Sequence, residues 1–502
     1  MFPRQKICLL IAISIFLPSM ITAQFRSSGI FENHSDIGNV KKTGSVSYDS
    51  ENQEYTISGA GANMWEGEDQ FHYLWTSIQG DFIVRARMEF TGEEGDPHRK
   101  IGWIIRNNFR SGSPHVNATV HGDGTTALQF RREEGGKTES LESADMEPNI
   151  IQLERKGNTY IMSTAKYGKL FTEVKLTDMN LRNEVFVGLY VCSHNPDKVE
   201  KARFSNVRIV KPAPDDFRPY RDYIGSRMEV MDMETGNRKV LFTSAHSLQA
   251  PNWTNDDRLI YNSNGMIYSY DLQSEKVELV NTGFATNNNN DHVISFDGKM
   301  IGLSHHHAEN NGNSTIFVMP LEGSDSPRQV TKTGKQASYF HSWTPDGKHL
   351  IFTGNRKDKY DIYQVSVEDG SEKQLTDTPG LDDGPEISPD GKYIYFNSNR
   401  TGTMQLWRME ANGSNPKQLT FDKYQDWFPH ISPDNKWIVF LSFPETVDSA
   451  DHPFYKRVMI RLMPIEGGEP KVIAYLYGGQ GTINVPSWSP DGKKIAFVSN
   501  SD

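Results

Sequence analysis

The chain has 502 residues, and 64 acidic against 53 basic side chains give it a net charge of −11. That balance excludes a general nucleic-acid binder, whose affinity comes from neutralising phosphates, but leaves room for a local basic groove that takes an anionic sugar. Two cysteines in such a length exclude a disulfide framework, and the size allows two domains, each with its own core.

Residues 1–23 read as a secretory leader. Arg4 and Lys6 precede an apolar run that ends at Leu17, and Ile21-Thr22-Ala23 supplies a small-residue cleavage site. Cleavage would remove two positive charges and leave Cys192 alone. Cys8 does not follow the apolar run, where a lipid anchor would require it. No later stretch is apolar for long enough to span a bilayer. The expectation is an exported protein, periplasmic first and extracellular second.

Residues 24–210 alternate in the manner of long strands. In 81–90, Phe82, Val84, Ala86, Met88 and Phe90 share one face, while Arg85, Arg87 and Glu89 share the other. Residues 101–105, 127–131, 150–154, 160–164, 185–192 and 202–210 behave alike, which predicts an antiparallel β-sandwich of jelly-roll type. The opening of this region and its last strand, Ala202-Arg203-Phe204-Ser205-Asn206-Val207-Arg208-Ile209, resemble the concanavalin-like domains of secreted carbohydrate-handling proteins. Trp65, His72 and Trp75, with Asp96, His98, Arg99, Trp103, Arg106, His115 and His121, give this domain the composition of a sugar site. Sugar C–H faces stack on rings while hydroxyls take fixed hydrogen bonds. The plainer reading of the same residues is core aromatics and solvated strand faces. Residues 211–219 form a linker by composition.

From residue 220 a repeat dominates. Residues 384–419 hold four short strands, the first two joined by Pro389-Asp390-Gly391. That turn recurs as Thr254-Asn255-Asp256-Asp257, Ser295-Phe296-Asp297-Gly298, Thr344-Pro345-Asp346-Gly347, Ser432-Pro433-Asp434-Asn435 and Ser489-Pro490-Asp491-Gly492. Four strands in about 40 residues make one propeller blade. Trp or Ile stands before each turn (Trp253, Ile294, Trp343, Ile387, Ile431, Trp488), as suits a wedge between blades. Residues 227–232 and 239–242 match the third and fourth strands missing from the last copy. A six-bladed propeller closed by strands from both ends is predicted over 220–502, in an all-β chain.

Repeat arithmetic also gathers histidines. The start of each innermost strand and the loop after each second strand open on one face. Where four blades carry Pro, two carry His292 and His341, and His430 comes one position later in the fifth. The loops add His305-His306-His307, Arg356, Arg400 and His452. A lone histidine there is structural more often than not, whereas several converging on one funnel point to metal ligation or proton transfer. Asp382-Asp383 and Asp96 are candidates for calcium, although acidic turns are more often solvated. No phosphate loop, nucleophile elbow or His-Glu-x-x-His helix is present, so no nucleotide cofactor is expected.

The repeat resembles the TolB-type propeller, with Ser-Pro-Asp-Gly followed by a β-run and Ser-Asn-Arg. A narrower likeness, over Asp291 to Asp297, Ser304 to His307, Phe340 to Gly347, and Gln425 with His430, is to the oligogalacturonate lyases. Phe428 stands where that family carries another histidine. The second resemblance implies a carbon–oxygen lyase, a polysaccharide lyase or an oligosaccharide dehydratase, acting on uronate chains by β-elimination. It implies a divalent metal, Mn or Ca, on some of His305, His306, His307, His341, Gln425 and His430. Either that metal or a guanidinium from Arg356 or Arg400 would hold the uronate carboxylate, His292 would be the base, and Trp427 and His452 would contact the sugar. The first resemblance implies the other class, an envelope propeller that docks a saccharide or a protein partner without catalysis.

Overall fold

The computed structural model describes residues 28–502 apart from 93, 94, 219, 220, 333 and 335; the leader predicted for residues 1–23 lies outside them. The alternating run at 82–90 folds as the strand Phe82–Phe90. Its apolar face, Phe82, Val84, Ala86 and Met88, enters a core shared with Trp103, Leu153, Leu189 and Phe204. Two seven-stranded antiparallel sheets enclose that core. One runs in space from Asn33–Ile37 through Phe71–Gln79, Glu184–Cys192 and Lys100–Arg106 to His115–His121, Thr126–Arg131 and Glu139–Glu142. The other carries Phe82–Phe90 between Ile150–Lys156 and the long strand Asn195–Val210.

The propeller follows as five four-stranded sheets and a closing one. Five of the six predicted turns are built alike, and the one at Thr254 is a residue shorter. In the fourth blade Ser388 Oγ donates to Asp390 (2.7 Å) and accepts from the Tyr393 N–H (3.1 Å). Gly391 N–H donates to the Ser388 carbonyl (2.8 Å) at φ 72°, a left-handed conformation that favours glycine there. The residues ahead of the turns do bind neighbouring blades. Trp343 Nε1 donates to the Val293 carbonyl (2.9 Å) and Trp488 Nε1 to that of His430 (3.1 Å). The Ile387 and Ile431 N–H groups donate to Ser342 Oγ and Glu386 Oε1 of the preceding blade.

Lys494–Asn500 closes the ring by pairing with Ser226–Asp232, which in turn pairs with Arg238–Ser244. A two-ended blade leaves no free sheet edge at the junction. The sandwich docks on this blade and on the outer strands of the fifth, Lys456–Pro464 and Lys471–Gly478, through the polar face of its second sheet. Arg85 donates to Gln152 and to the Tyr475 carbonyl, and Arg87 donates to the Thr235 carbonyl (2.8 Å). Glu154 pairs with Arg457 (2.9 Å), and Phe171 stacks on Tyr475 with centroids 3.6 Å apart. Glu229, fully buried, joins the parts: it accepts from Arg208 of the sandwich (2.7 Å), from Arg238 (2.9 Å) and from Ser499 of the last strand. Burial alone would raise its carboxyl, but the Arg208 and Arg238 charges outweigh that and hold it at about 2. Among the described residues no helix is long and apolar enough to cross a membrane.

The ring closure gives a direct test. Phe497 of the closing strand is fully buried, so Phe497→Ala should lower the unfolding free energy by about 3–5 kcal/mol in chemical denaturation. Phe421→Ala, at a site 77% exposed, should stay within about 0.5 kcal/mol of the parent.

Candidate functional site

In the second to fifth blades the start of the first strand lies opposite the end of the second: Asn288 with His305, Ser338 with Gly354, Asp382 with Ser398, Gln425 with Phe443. These starts and the following loops form one mouth of the propeller. Just inside, the first strands are bulged. Ala250, Gly384 and Phe428 take left-handed backbone (φ 54°, 59° and 55°) in the bulges of their blades, each directly before a proline. For a bulky residue that conformation is strained and is kept only where the surroundings fix it. The Phe428 ring lies over His341 (6.3 Å) and edge-on to His452 (5.4 Å), which also meets Trp427 (4.5 Å).

His341 is the residue on which the blades converge. Its Nε2 lies 3.5 Å from Asp383 Oδ1, and Asp383 Oδ2 lies 3.8 Å from His452 Nε2. Asp383 also accepts from Thr353 Oγ1 (2.6 Å) and from the Gly384 N–H (2.7 Å). Asp291, nearly buried, faces the same pair. Burial pushes its carboxyl up to about 7, His341 lowers it in part, and the Asp383 charge raises it further. For Asp383 burial is outweighed by His341 and His452, which hold it at about 2. His341 is raised in turn: burial opposes its charge, but the hydrogen bond to Asp383 and the nearby carboxylates win. Tyr339, pushed up by burial first, senses both carboxylates. Two carboxyls driven apart around one imidazole hold a proton that can move near neutral pH.

The other residues singled out in the sequence have different surroundings. His292 is fully buried between the first two blades, with Nε2 3.3 Å from the Ile260 carbonyl, and burial pushes it down to about 4. His305 accepts from the Asn287 N–H (3.3 Å) and, with His307, surrounds Phe284 and Phe317. His306 Nδ1 lies 3.2 Å from the Gly312 carbonyl, and His307 Nε2 lies 3.6 Å from Glu309. His430 places one ring nitrogen on Glu386 and the other on the Ile483 carbonyl, both at 2.6 Å. Gln425 Oε1 accepts from the Met404 N–H (2.8 Å). Arg356 grips Glu372 (2.9 Å), and Arg400 makes a two-oxygen pair with Asp382 (2.8 Å). Asp382 and Asp383 are thus buried and paired, which corrects the expectation of a solvated acidic turn.

In the sandwich, Trp103 fills the core and Arg106 pairs with the buried Asp69. His72 lies between Asp36 (2.7 Å) and His34 (3.0 Å). Trp75 packs against Phe109 and Phe186, and Trp65 is 41% exposed. These three do not share a partner. Among the described residues no three His, Cys, Asp or Glu side chains are disposed to hold a metal ion. The donor set implied for manganese or calcium is dispersed: His305 and His307 sit beside Phe317 of the second blade, while both nitrogens of His430 meet protein oxygens.

The sequence reading missed Asp291, Asp383 and Tyr339. Their signal lay one and two positions before the histidine-or-proline position of each repeat, where polar residues also recur: Asn290, Asp291, Tyr339, Asp383 and Asn484.

Comparison with known proteins places these observations. The TolB beta propeller domain model, PD40, matches residues 310–451. An uncharacterized protein of Agrobacterium fabrum is 42% identical over 275 residues, covering 54% of this chain and 92% of its own length. A solved propeller assigned to TolB from Agrobacterium tumefaciens is 41% identical with a TM-score of 0.53, over 56% of this chain and all of that one. An oligogalacturonate lyase of Vibrio parahaemolyticus aligns at 13% identity and a TM-score of 0.35, over 54% of this chain and 77% of that one, a likeness too low to carry any argument about chemistry.

The raised Asp291 carboxyl sets a pH signature. Its folded value of about 7 exceeds the ordinary 3.8, so its contribution is present below pH 4 and is lost as pH rises through 7. His341, also raised, loses its contribution above its ordinary 6.5, in the same direction. The loss from Asp291 should be on the order of 2–4 kcal/mol. Asp291→Asn should flatten the unfolding free energy between pH 4 and 8, read by denaturant titration at each pH.

Proposed function

We propose, from the premise that the chain belongs to the TolB-type β-propeller family, that it is an exported, non-catalytic binding protein whose propeller mouth docks an envelope protein partner. One observation supports this reading above the rest. The cationic groups of the mouth are already committed to internal partners: Arg356 to Glu372, Arg400 to Asp382, and His430 to Glu386 and Ile483. What the mouth offers is His452, partly exposed above the buried rings of Phe428, His341 and Trp427 and braced by the left-handed backbone of Phe428. Preorganised aromatic and imidazole groups suit an interface anchor, because little entropy is lost when they bind.

A carbon–oxygen lyase acting on uronate saccharides is the second reading, and the Asp291–His341–Asp383 cluster is what favours it. In that reaction the Asp291 carboxylate takes the proton from C5 of the uronate. The electron pair passes through the enolate-like carboxylate to form the C4–C5 double bond, and the C4–O bond breaks with its electrons on the departing sugar or hydroxyl oxygen, which takes a proton from water. The raised His341 imidazolium would face the charge that builds on the carboxylate.

Ultraviolet absorbance separates the readings. Mature protein mixed with pectic, algal and glycosaminoglycan oligosaccharides should produce no conjugated uronate chromophore, with or without chelator. A photoreactive residue at position 452 should cross-link one defined envelope protein, and His341→Glu should abolish the adduct. A chromophore that disappears in Asp291→Asn would overturn the binding reading in favour of the lyase.

A further inference from the structure

Between the sandwich and the closing blade lies a cavity of about 700 Å³, within the range that holds drug-sized ligands. Both domains line it. Tyr48, Tyr55 and Arg208 come from the sandwich, and Arg227, Phe242 and Tyr270 from the propeller. Two aromatic pairs form part of its wall, Tyr48 with Tyr55 (4.5 Å) and Phe242 with Tyr270 (4.7 Å). Lys211 and Lys239 stand exposed at its rim with Glu184 and Glu275.

The charge behind this wall is out of balance. Arg85, Arg208, Arg227 and Arg238 cluster there, and Glu229 is the carboxylate that Arg208 and Arg238 share. Arg85 is met by Gln152 and a carbonyl. Arg227 donates through Nη2 to the Ile209 carbonyl (2.7 Å), and among the described residues it makes no ion pair. Its Nη1 is shielded from solvent without a hydrogen-bond partner, and so is Nε of Arg208, a residue only 6% exposed. A guanidinium buried without a counter-charge is costly, and an anion that reaches it recovers that cost. Burial, with the neighbouring Arg208 charge, pushes Arg227 down to about 10, in keeping with the crowding.

We infer that this interdomain cavity is a binding site for an acidic saccharide, its carboxylate directed at Arg227 and Arg208 and its sugar ring laid against Tyr48 and Phe242. An anion alone needs only the arginines. The aromatic walls add a surface for the apolar face of a pyranose, and the volume admits more than one ring. A neutral sugar would leave Arg227 unpaired and should be rejected, since a buried polar group with no partner penalises the ligand that lacks the matching charge. This site is separate from the propeller mouth, so its occupancy does not depend on what docks there.

Calorimetric titration of the mature protein with uronate tri- and tetrasaccharides tests the assignment. Their carboxyl-reduced counterparts serve as the neutral probe. The acidic sugars should bind, more weakly as salt is raised, and the reduced sugars should not. Arg227→Gln should weaken binding at least tenfold and Tyr48→Ala by a smaller factor. Arg227→Gln removes an unpaired charge, so its unliganded melting temperature should not fall, which separates lost binding from lost folding. Phe421→Ala, at an exposed site outside the cavity lining, should leave the affinity unchanged. Equal binding of reduced and acidic sugars, absence of binding by both, or full affinity in Arg227→Gln would each overturn the inference.

Discussion

Much of this molecule depends on one buried carboxylate. Glu229 belongs to the third strand of the closing blade, Arg238 to its fourth, Ser499 to the strand that ends the chain, and Arg208 to the last strand of the sandwich. Ring closure and domain docking therefore share a single set of hydrogen bonds. The energetics are asymmetric. Exchanging the whole group for well-packed apolar side chains can be close to neutral, while removing the carboxylate alone strands several guanidinium groups in a low-dielectric interior. The cluster fixes geometry: it ties the second sheet of the sandwich, the one that faces the propeller, to the closing blade.

The mouth follows a different rule. Its arginines are paired within their own blades and its histidines with carboxylates of a neighbouring blade, and its distinctive chemistry comes from where the first strands are bulged. His341 is itself the extra residue of the bulge between Phe340 and Ser342, whereas His292 sits back in register opposite Leu303. The two occupy the same position in the repeat, yet one reaches toward Asp383 and the other toward a carbonyl of the preceding blade. A bulge re-aims a side chain without changing the sequence around it.

That difference marks the boundary of what the sequence reveals. Alternation at Phe82, Val84, Ala86 and Met88 identified a buried face, because period two is a local property of an extended chain. The Ser-Pro-Asp-Gly turns and the preceding Trp343 and Trp488 identified blades and wedges for the same reason. The outward face carrying Arg85 and Arg87 could be read as polar but not as an interface, since alternation says nothing about what covers a face. The Asp291–Asp383 pair was invisible because its proximity is made by the curvature of the ring, which brings together residues far apart in the chain. A carboxyl shifted to about 7 is a property of that proximity and of burial, not of the residue type.

The two-ended blade also has a temporal meaning. Asn500 Nδ2 donates to Ser226 Oγ across 274 residues of sequence (3.0 Å). Pairings of such high contact order form slowly, because the chain entropy lost on joining its ends comes before any of the stabilisation the junction provides. The sandwich strands and the early blades can assemble beforehand, but Ser226–Asp232 keeps an open edge and Glu229 lacks its Ser499 donor until Lys494–Asn500 is in place. The last strand thus acts as a latch: late to engage during folding and, once engaged, a barrier that unfolding must cross to open the ring.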